Sequence, residues 1–307
     1  MRRLRRAGLA RPPIGAAWGW AQTVAGRAAT DSLLEGGALV LSPHCDDETI
    51  GCGLLMAERA RRGIPAAVAV VTDGRGGWFS PSPRPAPDDI VEIRRREWHQ
   101  ALDVLAVPPG DRFELGFPDG ELGNHERELT GQIADLLRRV RAAQVFVTRP
   151  GDPNADHRVL ARAVRHAVAR TFDADHGSSH GERAGGSSPC AVGPRPQVFT
   201  YRVYPGEGLW PEGRPPQVTA VASIAQLGRA VLSLSGRRPL LLRAPRSLPT
   251  KVAAIGAYDS QRRLLDGELR YVWSKSTELY WPMQGGGPAD ELSGNESNLK
   301  RPPMMQG

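Results

Sequence analysis

The chain has 307 residues, 40% of them hydrophobic, enough for the core of one large α/β domain, and no apolar run approaches the ~18 residues of a membrane-spanning helix. Its formal charge of +7 is almost wholly arginine, since only Lys251, Lys275 and Lys300 are lysines. The arginines are scattered and form no stripe interleaved with aromatics, which argues against nucleic acid as a partner.

The start, Met1 to Arg6, has the charge of a signal n-region, but Arg11, Pro12 and Pro13 interrupt any apolar segment behind it. Cys45, Cys52 and Cys190 are an odd set without a C-x-x-C pair, which excludes a disulfide framework and fits a reducing, cytoplasmic setting. Residues 1–36 read as an N-terminal extension packed loosely on the surface. Leu39 to Leu41 is a buried first strand, Leu54 to Arg62 a helix capped by Gly63, and Ala67 to Val71 a second strand. Thr72-Asp73-Gly74-Arg75-Gly76-Gly77 is a turn, and the proline-rich stretch Ser80 to Pro87 is a loop.

Asp88 to Leu105 is helical, with Ile90, Ile93, Glu97, Ala101 and Leu105 on one face. Phe113 to Leu115 is a short strand, Leu129 to Arg141 an amphipathic helix, Val145 to Thr148 a buried strand and Arg158 to Arg170 a helix. Strands alternating with helices predict a Rossmann-like α/β fold: a mostly parallel sheet flanked by helices, in one domain over 37–284. A Gly-, Ser- and His-rich stretch at about 173–196 interrupts it and reads as a flexible insertion. Val198 to Val203 resumes a strand, Val252 to Leu265 is a late helix, Tyr271 to Trp273 is strand-like, and 285–307 is a polar tail expected to be disordered.

The chemistry is concentrated after two of the strands. Ser42-Pro43-His44-Cys45-Asp46-Asp47-Glu48 follows the first, and Gly151-Asp152-Pro153-Asn154-Ala155-Asp156-His157-Arg158 follows the Val145–Thr148 strand. A bland reading of the first segment is a helix start, with Asp46 or Asp47 as N-cap and Glu48 in the first turn. In a parallel sheet, however, both turns lie on one edge, where ligands of α/β proteins bind. His44, Asp47 and His157 can therefore converge, and two imidazoles with one carboxylate make a zinc site with a position left for water. The same set accepts other divalent ions. Cys45 fits a structural role better than ligation. His99 and His166 read as isolated helix residues, and His176 and His180 fall in the insertion.

This pattern resembles the PIG-L (LmbE-like) family of zinc-dependent N-deacetylases. Its first motif, usually His-Pro-Asp-Asp-Glu, reads His44-Cys45-Asp46-Asp47-Glu48 here, and its late Asp-His pair is Asp156-His157. Thr72-Asp73-Gly74, Arg94-Arg95-Arg96-Glu97 and Leu115-Gly116-Phe117-Pro118-Asp119-Gly120 match its landmarks in order. The likeness runs from about 38 to 160, and Tyr258-Asp259-Ser260-Gln261 looks like the family's late helix.

The resemblance implies that His44, Asp47 and His157 hold zinc. It implies Asp46 as the general base that deprotonates water and returns the proton to the leaving amine. Arg94 and Asp119 resemble positions that contact sugar hydroxyls, with Arg75 a further substrate clamp. The plainer readings are a solvated Arg94 paired with Glu97, and Asp119 as a turn former. The chain departs from the family at Cys45, for proline, and at Asn154, for a histidine that helps stabilise the oxyanion. An Asn amide can donate to an oxyanion but cannot deliver a proton near neutral pH, which leaves proton transfer to Asp46. Asp156 is expected to orient His157 or Asn154. Trp78 and Phe79 are candidates for either core or a sugar platform. The implied activity is removal of an N-acetyl or longer acyl group from an amino-sugar conjugate. The alternatives are a zinc-bearing but inactive glycan-binding module and an amidohydrolase acting on a non-sugar amide.

Overall fold

The computed structural model describes residues 26–173, 193–204, 239–266 and 274–283. Among them, eight strands form one sheet: β1 (Arg27–Ala28), β2 (Ala38–Ser42), β3 (Ala66–Thr72), β4 (Arg112–Phe117), β5 (Gln144–Thr148), β6 (Gln197–Tyr201), β7 (Leu240–Arg243) and β8 (Thr277–Pro282), in the order β1-β7-β8-β6-β5-β2-β3-β4. The pairs β1–β7, β2–β3, β2–β5, β3–β4 and β5–β6 are parallel. Only β8 runs antiparallel, to both β6 and β7. The fold is therefore α/β, a mixed but mostly parallel sheet, as the alternation of elements predicts.

The helices are α1 (Asp47–Arg61), α2 (Pro87–Val104), α3 (Glu126–Val140), α4 (Ala155–Phe172), α5 (Leu248–Ile255) and α6 (Arg262–Asp266). Central strand β2 is buried along its whole length, because a parallel strand covered on both faces reads as a continuous apolar run. Its side chains alternate between two cores. Val40 packs with Ile50, Trp98, Tyr201, Tyr258 and Tyr280 under α1, α2 and α5. Leu39 and Leu41 pack with Ile133, Leu137, Leu160 and Val164 under α3 and α4. Leu39 lies in register with Val145 on one side and Ala67 on the other, so the turns after β2 and β5 leave the same edge side by side.

Several elements differ from their expected bounds. Helix α1 begins at Asp47, not Leu54, and α4 at Ala155, not Arg158, so both acidic motifs reach into first helical turns. Gly-x-Gly at 51–53 hides helical periodicity in the first case. The late helix breaks at Gly256 into α5, a 3₁₀ turn at Asp259–Gln261, and α6. Strands β1, β7 and β8 are too short or too polar to stand out in sequence.

The segment 26–36 is not loosely packed. Leu33 is fully buried, and buried Arg59 donates to the Leu33 and Gly36 carbonyls at 2.9 and 2.7 Å. The expectations for 1–25, for most of the 173–196 insertion with His176 and His180, for Tyr271 to Trp273 and for 285–307 lie outside the described residues. No helix among the described residues is long and apolar enough to cross a membrane.

Candidate metal centre

The turn after β2 carries three acidic residues and almost no slack. Pro43 O accepts the Thr72 N–H and hydroxyl from β3, at 2.9 and 2.8 Å, which pins the turn to the neighbouring strand. Asp46 then adopts φ 129°, a conformation that costs a non-glycine residue of order 1–3 kcal/mol and needs outside support. Glu48 supplies part of it by accepting the Asp46 N–H at 3.3 Å. Glu48 is itself fully buried and receives the Tyr258 hydroxyl at 2.5 Å, Thr49 at 2.8 Å and Ser42 at 3.2 Å. Burial raises its carboxyl, and these donors oppose the shift. The late Tyr258–Gln261 segment thus braces the first motif from the far end of the chain.

The turn after β5 is more conventional. Asn154 caps α4, its side chain accepting the Asp156 N–H at 2.9 Å, and Asp152 accepts the Asn154 N–H at 2.8 Å. His157 follows on the first turn, fully buried.

The two turns bring His44, Asp47 and His157 together. Asp47 Oδ2 lies 3.0 Å from His44 Nδ1 and 3.1 Å from His157 Nε2, and the two nitrogens are 3.3 Å apart. Around a tetrahedral ion with ligands at ~2.0–2.1 Å, donor atoms stand about 3.3 Å from one another. Three electron-rich atoms packed this closely need a cation or protons between them. The donor set therefore fits a divalent ion. A buried His/Asp group able to bind a metal is the core of this site.

The surrounding charges reinforce that conclusion. Asp119 Oδ1 and Asp156 Oδ2 stand 3.2 and 3.4 Å from His44 Nε2, and Asp152 Oδ2 lies 3.0 Å from His157 Nδ1. Burial alone would lower both histidines. Asp119, Asp156 and Asp47 instead hold His44 well above its ordinary value. Asp47 and Asp152 carry His157 up to about 9. Burial works against Asp47, yet His157 and His44 hold its carboxyl well below the usual range. Burial pushes Asp46 up to about 8, with Asp47 adding to the shift and Arg94 opposing it. This field draws protons onto the imidazoles for the same reason that it would draw a divalent cation.

The other expected residues fall as follows. Arg94 is not a solvated partner of Glu97. It is 3% exposed and donates to Cys45 O at 2.6 Å and Gly74 O at 3.2 Å, with Nη2 3.7 Å from Asp46 Oδ1. Glu97 instead accepts the Ser260 N–H and hydroxyl. A Cβ at position 77 would stand 2.5 Å from Arg94 Nη1, so a side chain there would have to displace the guanidinium. Asp119 divides itself between His44 and the Gly76 N–H. Arg75 is half exposed and paired with Asp73 at 2.6 Å.

Asp156 faces His44 and accepts from the Gly120 and Leu122 N–H groups, so it does not orient His157. The carboxylate beside His157 Nδ1, at 3.0 Å, is that of Asp152, to which the sequence gives no role. Its position one strand end away from the ligand helix was the available signal. Tyr204 was also missed, and its ring lies 5.7 Å from that of His157. Burial drives the Cys45 thiol far above its ordinary value, which leaves it a neutral core residue. Phe79 is 45% exposed, so it is not core.

Comparison with known proteins agrees with this geometry. Residues 39–168, the stretch holding both turns, match the family model described as PIG-L: GlcNAc-PI de-N-acetylase. The chain is similar to a 1D-myo-inositol 2-acetamido-2-deoxy-alpha-D-glucopyranoside deacetylase of Kineococcus radiotolerans, at 28% identity over 85% of this chain and 81% of the relative. A Nocardia farcinica protein of the same name is 31% identical over 46% of this chain and 56% of its own length. The fold is shared with N,N'-diacetylchitobiose deacetylase from Pyrococcus horikoshii, with a TM-score of 0.59 at 18% identity over 84% of this chain and 88% of that one. With the motifs in order, the two turns side by side and the match spanning both, the segment 39–168 is similar to the PIG-L (LmbE-like) family of N-deacetylases.

Proposed function

We propose that this protein removes the N-acetyl group of an N-acetylglucosaminyl conjugate with the help of a divalent ion, zinc first among the candidates, held by His44, Asp47 and His157. The observation that carries this reading is the convergence of those three donors at 3.0–3.3 Å beside the Asp46 carboxyl. The names of its relatives direct it to amino-sugar amides. When bound, the ion supplies Lewis acidity to the attacking water and the amide carbonyl.

Asp46 is the general base and then the acid. It sits next to a ligand, and the strained backbone keeps it there. A carboxyl that burial pushes up to about 8 is ionised more readily beside a cation, so it can both take a proton and return it to the leaving amine. Asn154 Oδ1 is committed to capping α4, which leaves its amide Nδ2 as the group able to donate to the developing oxyanion. Asp119 and Asp152 hold the two imidazoles in orientation. Arg94 steadies Asp46 and the Gly74–Gly77 loop, while Arg75 and exposed Phe79 are better placed to meet the sugar. A reducing, cytoplasmic setting suits free Cys45 and Cys52.

The test is acetate release from a panel of N-acetylglucosaminyl conjugates by zinc-loaded protein. Asp46→Asn should abolish release while ion content is kept. Bound ion with no acetate from any amide in the panel would instead favour a glycan-binding role.

A further inference from the structure

An uninterrupted α-helix bonds each N–H to the carbonyl four residues back, so in α1 Leu54 would bond Ile50 and Leu55 would bond Gly51. Here a buried side-chain group meets all four of these backbone atoms. Glu278 on β8 accepts the Leu54 and Leu55 N–H groups at 2.8 and 2.9 Å. Lys251 on α5 donates to Ile50 O at 2.7 Å, and the Tyr280 hydroxyl donates to Gly51 O at 3.3 Å. The three side chains also bond one another: Lys251 Nζ and the Tyr280 hydroxyl each reach Glu278 at 2.6 Å. Lys251 and Tyr280 are fully buried and Glu278 nearly so.

The charges match the ends they meet. A cation sits at the carbonyls that close the first turn, and a carboxylate sits at the amides that open the next, as the helix dipole favours at a C-terminus followed by an N-terminus. The Gly51-Cys52-Gly53 sequence makes room for the junction. A side chain at 51 would enter the Tyr201 ring, and a Cβ at 53 would crowd the Lys251 stem at 3.0 Å. The first turn, just ahead of these contacts, carries Asp47 and Glu48, and its Ile50 N–H donates to Asp46 O at 2.9 Å.

We propose that Glu278, Lys251 and Tyr280 are positioning residues for the metal centre. They grip α1 just behind its first turn and so set the height at which Asp47 meets His44 and His157. The inference rests on the reading that those three residues hold an ion. A buried ion pair is rarely retained for stability alone, because apolar residues of similar volume commonly do as well or better. If the group is replaced by such residues, nothing outside the helix grips these four backbone atoms, and α1 can shift and draw Asp47 off its mark.

The test compares Glu278→Gln and the apolar pair Lys251→Met/Glu278→Leu with the full wild-type chain. Zinc affinity is read by chelator competition, folding by melting temperature, and kcat and KM on an N-acetylglucosaminyl conjugate. Zinc affinity should fall about 10–100-fold in both variants, the range known for residues that orient metal ligands. The apolar pair should recover most of the melting temperature without recovering zinc affinity, and the loss of activity should lie in kcat more than KM. Should Glu278→Gln fail to fold, the apolar pair still decides the matter. A wild type that takes up no divalent ion overturns the reading of the centre itself. A wild type that binds zinc no more tightly than the folded apolar pair overturns the positioning role alone.

Discussion

The two turns that build the centre are held in opposite ways. The one after β5 supports itself: Asp152 accepts the N–H of the cap residue Asn154, and Asn154 that of Asp156, all within six residues of His157. The one after β2 has no side-chain N-cap and places Asp46 in a backbone region that most residues avoid. Its support comes from Tyr258 through Glu48, and from Lys251, Glu278 and Tyr280 through the middle of α1. A ligand delivered by a self-capped helix needs only its own neighbourhood. A base placed by strain needs distant parts of the molecule to hold it, and here Lys251, Tyr258, Glu278 and Tyr280 meet that need.

The contrast can be broken most sharply at the shared ion. His157→Ala removes one of three donors and should lower zinc affinity at least ~10³-fold and abolish acetate release, since a structural or catalytic zinc site needs its full donor set. Melting temperature should hold better than activity, because the α4 cap is untouched. Equilibrium dialysis and acetate assay check this.

Protons come next. His157 is raised from its ordinary 6.5 to about 9. In ion-free protein this histidine therefore contributes stability that is complete below pH ~6.5 and is lost as pH climbs through about 9. Ligation requires the neutral ring, so zinc affinity should rise roughly tenfold per pH unit for each proton displaced and level off near 9. Melting curves of ion-free protein and zinc titrations across pH 6 to 10 test both slopes. An affinity independent of pH would mean that His157 is not a ligand.

The strained turn gives a smaller, purely energetic signal. Asp46→Gly and Asp46→Ala both remove the base, but glycine accepts φ 129° freely, so the Gly protein should be the more stable by about 1–3 kcal/mol in denaturant melts. Equal stabilities would show that the turn is not strained. Least of all, Asn154→Ala should cost about 0.5–2 kcal/mol from the lost cap. It should also lower kcat without moving the basic limb of the pH–rate profile.

The parallel core was legible because β2, β3 and β5 are continuous apolar runs and the helices between them are periodic. The convergence of His44, Asp47 and His157 followed from topology once both motifs lay at strand ends. The supports did not show. Arg94 reads as a surface helix residue beside Glu97, and nothing within a helical window reveals that it turns inward to Cys45 while Glu97 reaches Ser260. Lys251 and Glu278 stand 27 residues apart and carry no sequence signal, because a buried pair is recognised only when its burial is known. Glycines at 51 and 53 weaken the helical pattern locally, so the sequence places the start of α1 at Leu54 and not at Asp47. Residues that make the chemistry are clustered in sequence, whereas those that hold it are scattered.

Strand β8 is the last of the described strands along the chain, yet it lies inside the sheet, between β7 and β6. A ribosome must release 277–282 before β6 gains its second neighbour, and such distant pairing slows folding. Until then the nascent chain exposes an unpaired edge of the kind that templates aggregation. Cells that make this protein would gain from a chaperone that shields β6 during synthesis, and slow refolding with loss to aggregates is the expected behaviour in a dilution-jump experiment.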